Sequence, residues 1–290
     1  MRVRVLLFLL AISLIATSTQ ASLRAYWAFE EGSGDYALDS SGNGNTGLLV
    51  ADTEAGDPAT PLPGPTTQPD RITSMSGYGE ALQFCAGTDN YNSVWIDKSD
   101  SLKDLGSTWS MTMWLRQDSR DTSPGGGGGY QRVMSNPNYE IEMGVPSWEY
   151  DYFWPYDNPG LQTDIGATYL SLGGDLGDWY HMAVTFDGTY LKKYLNGTEV
   201  YSMDFSGQSL IADWDTPGWN DAVMKLACQT WPNKDWFRGA MDDVAIWGDE
   251  YLDSDQVMGL YDGTYTPLTV PEPLTIVLFG IGGLLLRKRR

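Results

Sequence analysis

Residues 179–203 read WYHMAVTFDGTYLKKYLNGTEVYSM, and this stretch decides the fold. Trp179 to Phe186 is rich in aromatic and β-branched residues and alternates as a half-buried strand does. It stops at Asp187-Gly188. A second run, Tyr190 to Leu195, meets a third, residues 198–203, across Asn196-Gly197. Asn-Gly between two alternating runs is the strongest short hairpin signal, because both turn residues need positive φ. Three consecutive antiparallel strands are therefore predicted. Further short strands are predicted at 25–29, 81–84, 93–96, 109–116, 139–144, 224–227 and 239–247, separated by glycine and turn residues. No long stretch shows helical periodicity. Many short antiparallel strands make an all-β, two-sheet sandwich or jelly roll. Residues 57–70, rich in Pro and Thr, and 121–130, with five consecutive glycines, read as surface loops.

The 290 residues are 42% hydrophobic, enough for one large all-β domain with a real core. The formal net charge of -20 is unevenly spread. Six of the 18 basic residues and one of the 38 acidic ones lie in the two terminal segments, which leaves 12 basic against 37 acidic groups in the middle. Such a surface repels phosphate backbones and excludes nucleic acid as a partner class. Asn196-Gly-Thr is formally a glycosylation sequon, but the hairpin reading accounts for it. Two cysteines, Cys85 and Cys228, lack zinc-type spacing. In an exported chain they are compatible with one disulfide, and equally with two buried thiols.

The two ends read as addresses. The chain begins Met-Arg-Val-Arg, continues with an apolar run from Val5 to Ile15, and reaches small residues before a cut after Ala21, which is a signal peptide for signal peptidase. The run is too short to span a membrane. The far end reads VPEPLTIVLFGIGGLLLRKRR over residues 270–290. Residues 274–286 carry no charge and predict a short transmembrane helix, with the basic end kept cytoplasmic. The Pro271-Glu272-Pro273 triplet, the apolar helix and the terminal arginine cluster together resemble the PEP-CTERM sorting signal of Gram-negative bacteria. That resemblance implies an exosortase as partner, transient membrane anchoring, and delivery to the cell surface or extracellular matrix. The expected organisation is a signal peptide at 1–21, one domain at 22–266 and a sorting tail at 267–290.

Four blocks of the middle resemble, in order, the laminin-G-like (concanavalin A-like) jelly-roll family: YWAFEEGSG at 26–34 with DSSGNGN at 39–45; GEALQF at 79–84 leading to VWI at 94–96 and WSMTMW at 109–114; WYHMAVTFDG at 179–188 with its hairpin; and FRGAMDDVAIW at 237–247. The resemblance implies two antiparallel sheets of roughly six or seven strands each, about 10 Å apart. It also implies that the first and last blocks are neighbours in one sheet.

Three chemistries are weighed. Ca²⁺ takes six to eight oxygens. The 39–45 loop is dense in them, and the resemblance suggests Asp39, Asn45 and Asp242 as side-chain ligands of a structural ion, with carbonyls from Gly42 or nearby. The same residues also build an ordinary Asx–glycine turn. Trp148, Tyr150, Tyr152, Phe153, Trp154 and Tyr156 crowd one segment; Trp148, Tyr150, Tyr152 and Trp154 are the candidate sugar-stacking residues, unless they pack over the sandwich end. Glu140 and Glu142, two apart, share one strand face and could form a retaining glycosidase pair. A solvated strand face is the favoured reading, so no catalytic residue is assigned. The only histidine, His181, reads as a packed strand residue. The expectation is a non-enzymatic surface or matrix protein that binds glycan or protein. A glycoside hydrolase or lyase and a purely architectural component are the alternatives.

Overall fold

The computed structural model describes residues 23–271 apart from 56–59, 63, 65, 76, 88, 120–129, 137–138, 145–151, 156–162, 165–175, 207–222 and 231–233; at 130, 139–144, 152–155 and 163–164 only the backbone is described. In chain order the strands are β1 (Leu23–Trp27), β2 (Tyr36–Ala37), β3 (Gly47–Ala51), β4 (Glu54–Ala55), β5 (Thr60–Pro61), β6 (Asp70–Thr73), β7 (Glu80–Phe84), β8 (Asn92–Ile96), β9 (Trp109–Gln117), β10 (Tyr130–Ser135), β11 (Tyr139–Gly144), β12 (Tyr152–Pro155), β13 (Thr163–Asp164), β14 (Trp179–Phe186), β15 (Tyr190–Leu195), β16 (Thr198–Asp204), β17 (Met224–Leu226) and β18 (Gly239–Gly248), followed by helix α1 (Ser254–Tyr261).

The first sheet is ordered β16-β15-β14-β9-β18-β7-β6, with β1 also pairing with β18; the second is ordered β13-β12-β11-β10-β17-β8-β3-β2. Each has eight strands among the described residues, more than the six or seven expected, because β2, β6 and β13 extend the edges. All pairings within the two sheets are antiparallel. The deciding stretch folds as read. Asn196 (φ +48°) and Gly197 (φ +75°) both lie in the left-handed region, and β14, β15 and β16 form a meander. The first and last blocks do meet: Leu23 is opposite Trp247, and Tyr26 is opposite Ala245.

Alternation builds the core. Trp109, Met111, Met113 and Leu115 of β9 and Tyr180, Met182, Val184 and Phe186 of β14 join Val94, Ile96, Met224 and Leu226 of the second sheet in one apolar cluster. Trp27, Trp109 and Trp236 are fully buried within it, each burial stabilising by a few kcal/mol. The intervening residues of the first sheet face outward, yet most are buried too, because α1 covers them. Val257 and Leu260 of α1 pack with Ala183, Tyr194, Ala245 and Trp247 in a second cluster. The helix starts at a capping box: the Asp253 carboxylate accepts from the Asp255 and Gln256 amides, and Gln256 Oε1 accepts from Asp253 N. Gly259 must lack a side chain, since the Tyr265 ring occupies that space.

The packed body continues past residue 266. Val270 packs against the second cluster, and Gln256 Nε2 donates to the Pro271 carbonyl at 2.7 Å. Glu272 and Pro273, the apolar tail and the N-terminal segment lie outside the described residues. No helix among the described residues is long and apolar enough to cross a membrane.

Candidate functional site

The outer face of the second sheet collects binding chemistry. Leu49, Val94, Ile96, Met224 and Leu226 point into the core, so Leu48, Ser93, Trp95 and Lys225 point away. Register aligns them across the strands. Tyr36 is opposite Leu48, Leu48 opposite Trp95, Trp95 opposite Lys225, and Lys225 opposite Ser135. Ser135 is opposite Glu140, and Glu140 opposite Trp154. Directly opposed residues of an antiparallel pair share a face, so one transverse row crosses seven strands. A second row sets Arg132 opposite Glu142 and Glu142 opposite Tyr152. At one end the row is open to solvent, with Tyr36 53% and Leu48 41% exposed; in its middle Lys225 and Ser135 are buried.

A hydrogen-bonded chain underlies this end. Trp95 Nε1 donates to Ser93 Oγ at 2.9 Å, Ser93 Oγ donates to Asp52 Oδ2 at 2.8 Å, and Trp236 Nε1 donates to the same oxygen at 2.8 Å. The Lys225 ammonium lies 4.3 Å from the Trp95 ring centroid. Burial pushes the Asp52 carboxyl up, against the opposing pull of Lys225 and the three donors. Asp52 Oδ1 has no hydrogen-bond partner. None of these residues was picked out from the sequence. They are spread from 52 to 236, and only strand register brings them together.

The expected site residues distribute as follows. Tyr152 and Trp154 lie on β12, next to β11 with Glu140 and Glu142, so the aromatic segment and the acidic pair belong to one sheet edge. Trp148 and Tyr150 lie outside the described residues. The expected calcium set does not come together. Asp39 takes three backbone N–H groups, from Tyr26 (3.0 Å), Ser41 (2.9 Å) and Asn45 (2.8 Å). Asn45 Oδ1 accepts from the Ser99 and Ser101 hydroxyls, and its Nδ2 donates to the Arg24 carbonyl. Gly42 supplies a left-handed turn position (φ +87°). Three of the roughly four acceptor sites of Asp39 and both lone pairs of Asn45 Oδ1 are taken by donors of the protein itself, so this loop is a latch that ties β1 down.

Asp242 sits elsewhere, on the outer side of the first sheet. Its Oδ2 accepts from Ser74 Oγ, and its Oδ1 from the Asp243 amide at 2.8 Å. Asp243 Oδ1 accepts from the Tyr26 hydroxyl at 2.5 Å. Burial, the neighbouring Asp243 and then Glu30 push the Asp242 carboxyl up to about 8, while Ser74 and the Asp243 amide pull the other way. Burial also raises Asp243, with Glu30 adding to it. Negative charge here lacks compensation, which suits a cation. Among the described residues no three His, Cys, Asp or Glu side chains close into a ligand group, so carbonyl and hydroxyl oxygens would have to complete any shell.

Of the two readings the sequence leaves open for the cysteines, the structure has the buried thiols: both are buried and free. Cys85 Sγ lies 3.8 Å from the Asn92 carbonyl, and Cys228 Sγ 3.3 Å from the Gln229 carbonyl, so each thiol is accommodated as a weak donor in the one apolar core. His181 is a packed strand residue, as read. It is buried against Trp114, at 5.3 Å between ring centroids, and burial lowers its pKa to about 3.

A model of the concanavalin A-like lectin/glucanases superfamily (Laminin_G_3) matches residues 87–258. The chain belongs to that superfamily. Among solved structures it is similar to domain 4 of AbnA, a GH43 extracellular arabinanase from Geobacillus stearothermophilus, in complex with arabinotriose (TM-score 0.56, 17% identity, 83% of this chain and 98% of that one). It is also similar to the binding domain of Paraclostridial Mosquitocidal Protein 1 (TM-score 0.54, 14% identity, 84% and 52%) and to the binding domain of botulinum neurotoxin DC in complex with rat synaptotagmin II (TM-score 0.53, 13% identity, 86% and 53%). This superfamily chain spans about half the length of the two toxin binding domains. No curated protein matches it.

Proposed function

We propose that the protein is an exported, non-enzymatic glycan-binding module whose ligand surface is the outer face of the second sheet. The observation that carries this is the transverse row from Tyr36 through Leu48, Trp95 and Lys225 to Glu140 and Trp154. Its open end combines exposed apolar surface at Tyr36 and Leu48 with a partly exposed aromatic ring held in place, which is how protein surfaces grip sugar rings. The arabinotriose complex of the similar arabinanase domain supports the same ligand class. The signal peptide and sorting tail carry the protein to the surface or matrix. A structural cation fits the Asp242–Asp243 corner, with carbonyl and hydroxyl oxygens completing its shell, better than the 39–45 loop.

The test is titration of the mature chain against an oligosaccharide panel, arabinotriose included, with Trp95→Ala as control. Binding by the wild type that Trp95→Ala loses, at an unchanged melting temperature, supports the reading. Saturable binding unaffected by Trp95→Ala and by Tyr36→Ala refutes this face as the site. One observation favours a second reading, a glycoside hydrolase or lyase: Glu140 and Glu142 share a strand face with Arg132 opposite Glu142. Release of reducing sugar that both Glu→Gln variants lose would establish it.

A further inference from the structure

We infer that Trp95 is the stacking platform of the ligand face, and that Ser93 and Asp52 are its positioning residues. The inference rests on the glycan-binding reading and names the part of the face that does the gripping.

Of the described tryptophans, Trp27, Trp109, Trp114, Trp236 and Trp247 are buried, whereas Trp95 and Trp179 keep part of the ring in solvent. Trp179 belongs to the first sheet and lies under the Arg116 guanidinium, 5.4 Å from its ring. Trp95 stands in the second-sheet row, beside the exposed Leu48 and Tyr36. Lys225 lies against its ring, and the residue still keeps part of its surface in solvent.

The orientation of that ring is set by proton counting. A serine hydroxyl has one hydrogen and two lone pairs. Ser93 gives its hydrogen to Asp52 Oδ2, so only lone pairs face the Trp95 N–H, which donates into them. Asp52 is itself fixed by Trp236 Nε1 from the core. Four residues thus transmit the rigidity of the buried Trp236 to a partly exposed ring. A ring already fixed in its bound orientation loses little freedom when a ligand stacks on it, and that is where affinity is gained.

The experiment is indole N–H exchange in the mature protein, followed by NMR, with the Trp95 signal assigned by its loss in Trp95→Phe. Ser93→Ala leaves the indole N–H without its acceptor. Its exchange is expected to accelerate about tenfold, in line with the loss of one hydrogen bond, and affinity for the oligosaccharide found by the panel to fall by a similar factor. Asp52→Asn keeps a side-chain oxygen that accepts from both Ser93 and Trp236, and its exchange rate and affinity should stay within about twofold of wild type. The two variants separate positioning from general damage, since either could alter the melting temperature but only Ser93→Ala frees the indole. Unchanged Trp95 exchange in Ser93→Ala overturns the positioning role. A bound oligosaccharide that shifts other indole signals and leaves Trp95 unmoved overturns the platform while sparing the glycan reading. If no oligosaccharide on the panel moves any signal, the glycan reading itself fails.

Discussion

His181 should make this protein weaken in mild acid by an amount the structure sets. The imidazole is 2% exposed, packed between Trp114 and Tyr261, and its Nδ1 has no hydrogen-bond partner. Burial lowers its pKa from 6.5 to about 3. The folded protein therefore keeps the ring neutral, while the unfolded chain takes up a proton below about 6.5. The contribution is fully present above that pH and is lost as pH falls from 6.5 toward 3. Each pH unit in the window costs about 1.4 kcal/mol, so at pH 4.5, two units in, the loss is roughly 3 kcal/mol. That is a large share of the 5–15 kcal/mol by which a domain is typically stable. The assay is urea unfolding at pH 7.5, 6.0 and 4.5 for wild type and His181→Phe. Phenylalanine keeps an aromatic ring there and cannot titrate. Whatever it costs in packing shifts the stability difference by a constant, so the slope against pH isolates the imidazole. The variant should gain about 3 kcal/mol relative to wild type between pH 7.5 and 4.5. Asp242, across Trp114 in the neighbouring strand, is protonated through most of this range, because its pKa stands at about 8, and it offers the imidazolium no partner charge. A stability difference that is flat with pH would refute the reasoning.

Three further outcomes are expected. A carboxyl with a raised pKa holds its proton longer in the folded state, so its penalty appears as pH rises from 3.8 toward 8; in chelator at pH 8, Asp242→Asn should melt above wild type by at least about 3 °C, with no difference at pH 4, and millimolar Ca²⁺ should reverse the order at pH 8 while Asp39→Asn leaves the Ca²⁺ response intact. Burial pushes the Cys85 thiol up to about 12 and Cys228 well above its ordinary value, so a thiol reagent should find two free thiols in unreduced, denatured protein and almost none in the native protein; no thiols in the denatured sample would restore the disulfide. Gln256→Glu keeps the oxygen that accepts from Asp253 N and removes the N–H that holds the Pro271 carbonyl, so melting should fall by about 2–4 °C, read by calorimetry against wild type.

The hairpins were legible because their signal is local. Asn196-Gly197 demands left-handed backbone whatever surrounds it, and the alternation of β9 and β14 fixes which residues enter the core. The eight-residue α1 was missed because two turns are too short to show a period; its capping box at Asp253 and Gln256 was the available clue. The acidic corner was half legible. Strict alternation puts Asp242 and Asp243 on opposite faces, yet a register shift between Asp242 and Ala245, with Asp243 at φ +48°, lets both carboxylates share one neighbourhood. The 39–45 loop misled for a chemical reason. Oxygen-rich turns that bind calcium and those that bind their own amides have the same composition, and only the hydrogen bonds tell which. The Trp95 chain was out of reach, since nothing local links Asp52, Ser93 and Trp236.

The Gln256 contact with Pro271 has a consequence for how the molecule is presented. Pro271 lies on the α1 side, against the outside of the first sheet, whereas Tyr36, Leu48 and Trp95 look out from the second. The full thickness of the sandwich separates the two. Residue 271 thus lies at the back of the module, and the side that carries Tyr36, Leu48 and Trp95 faces the opposite way.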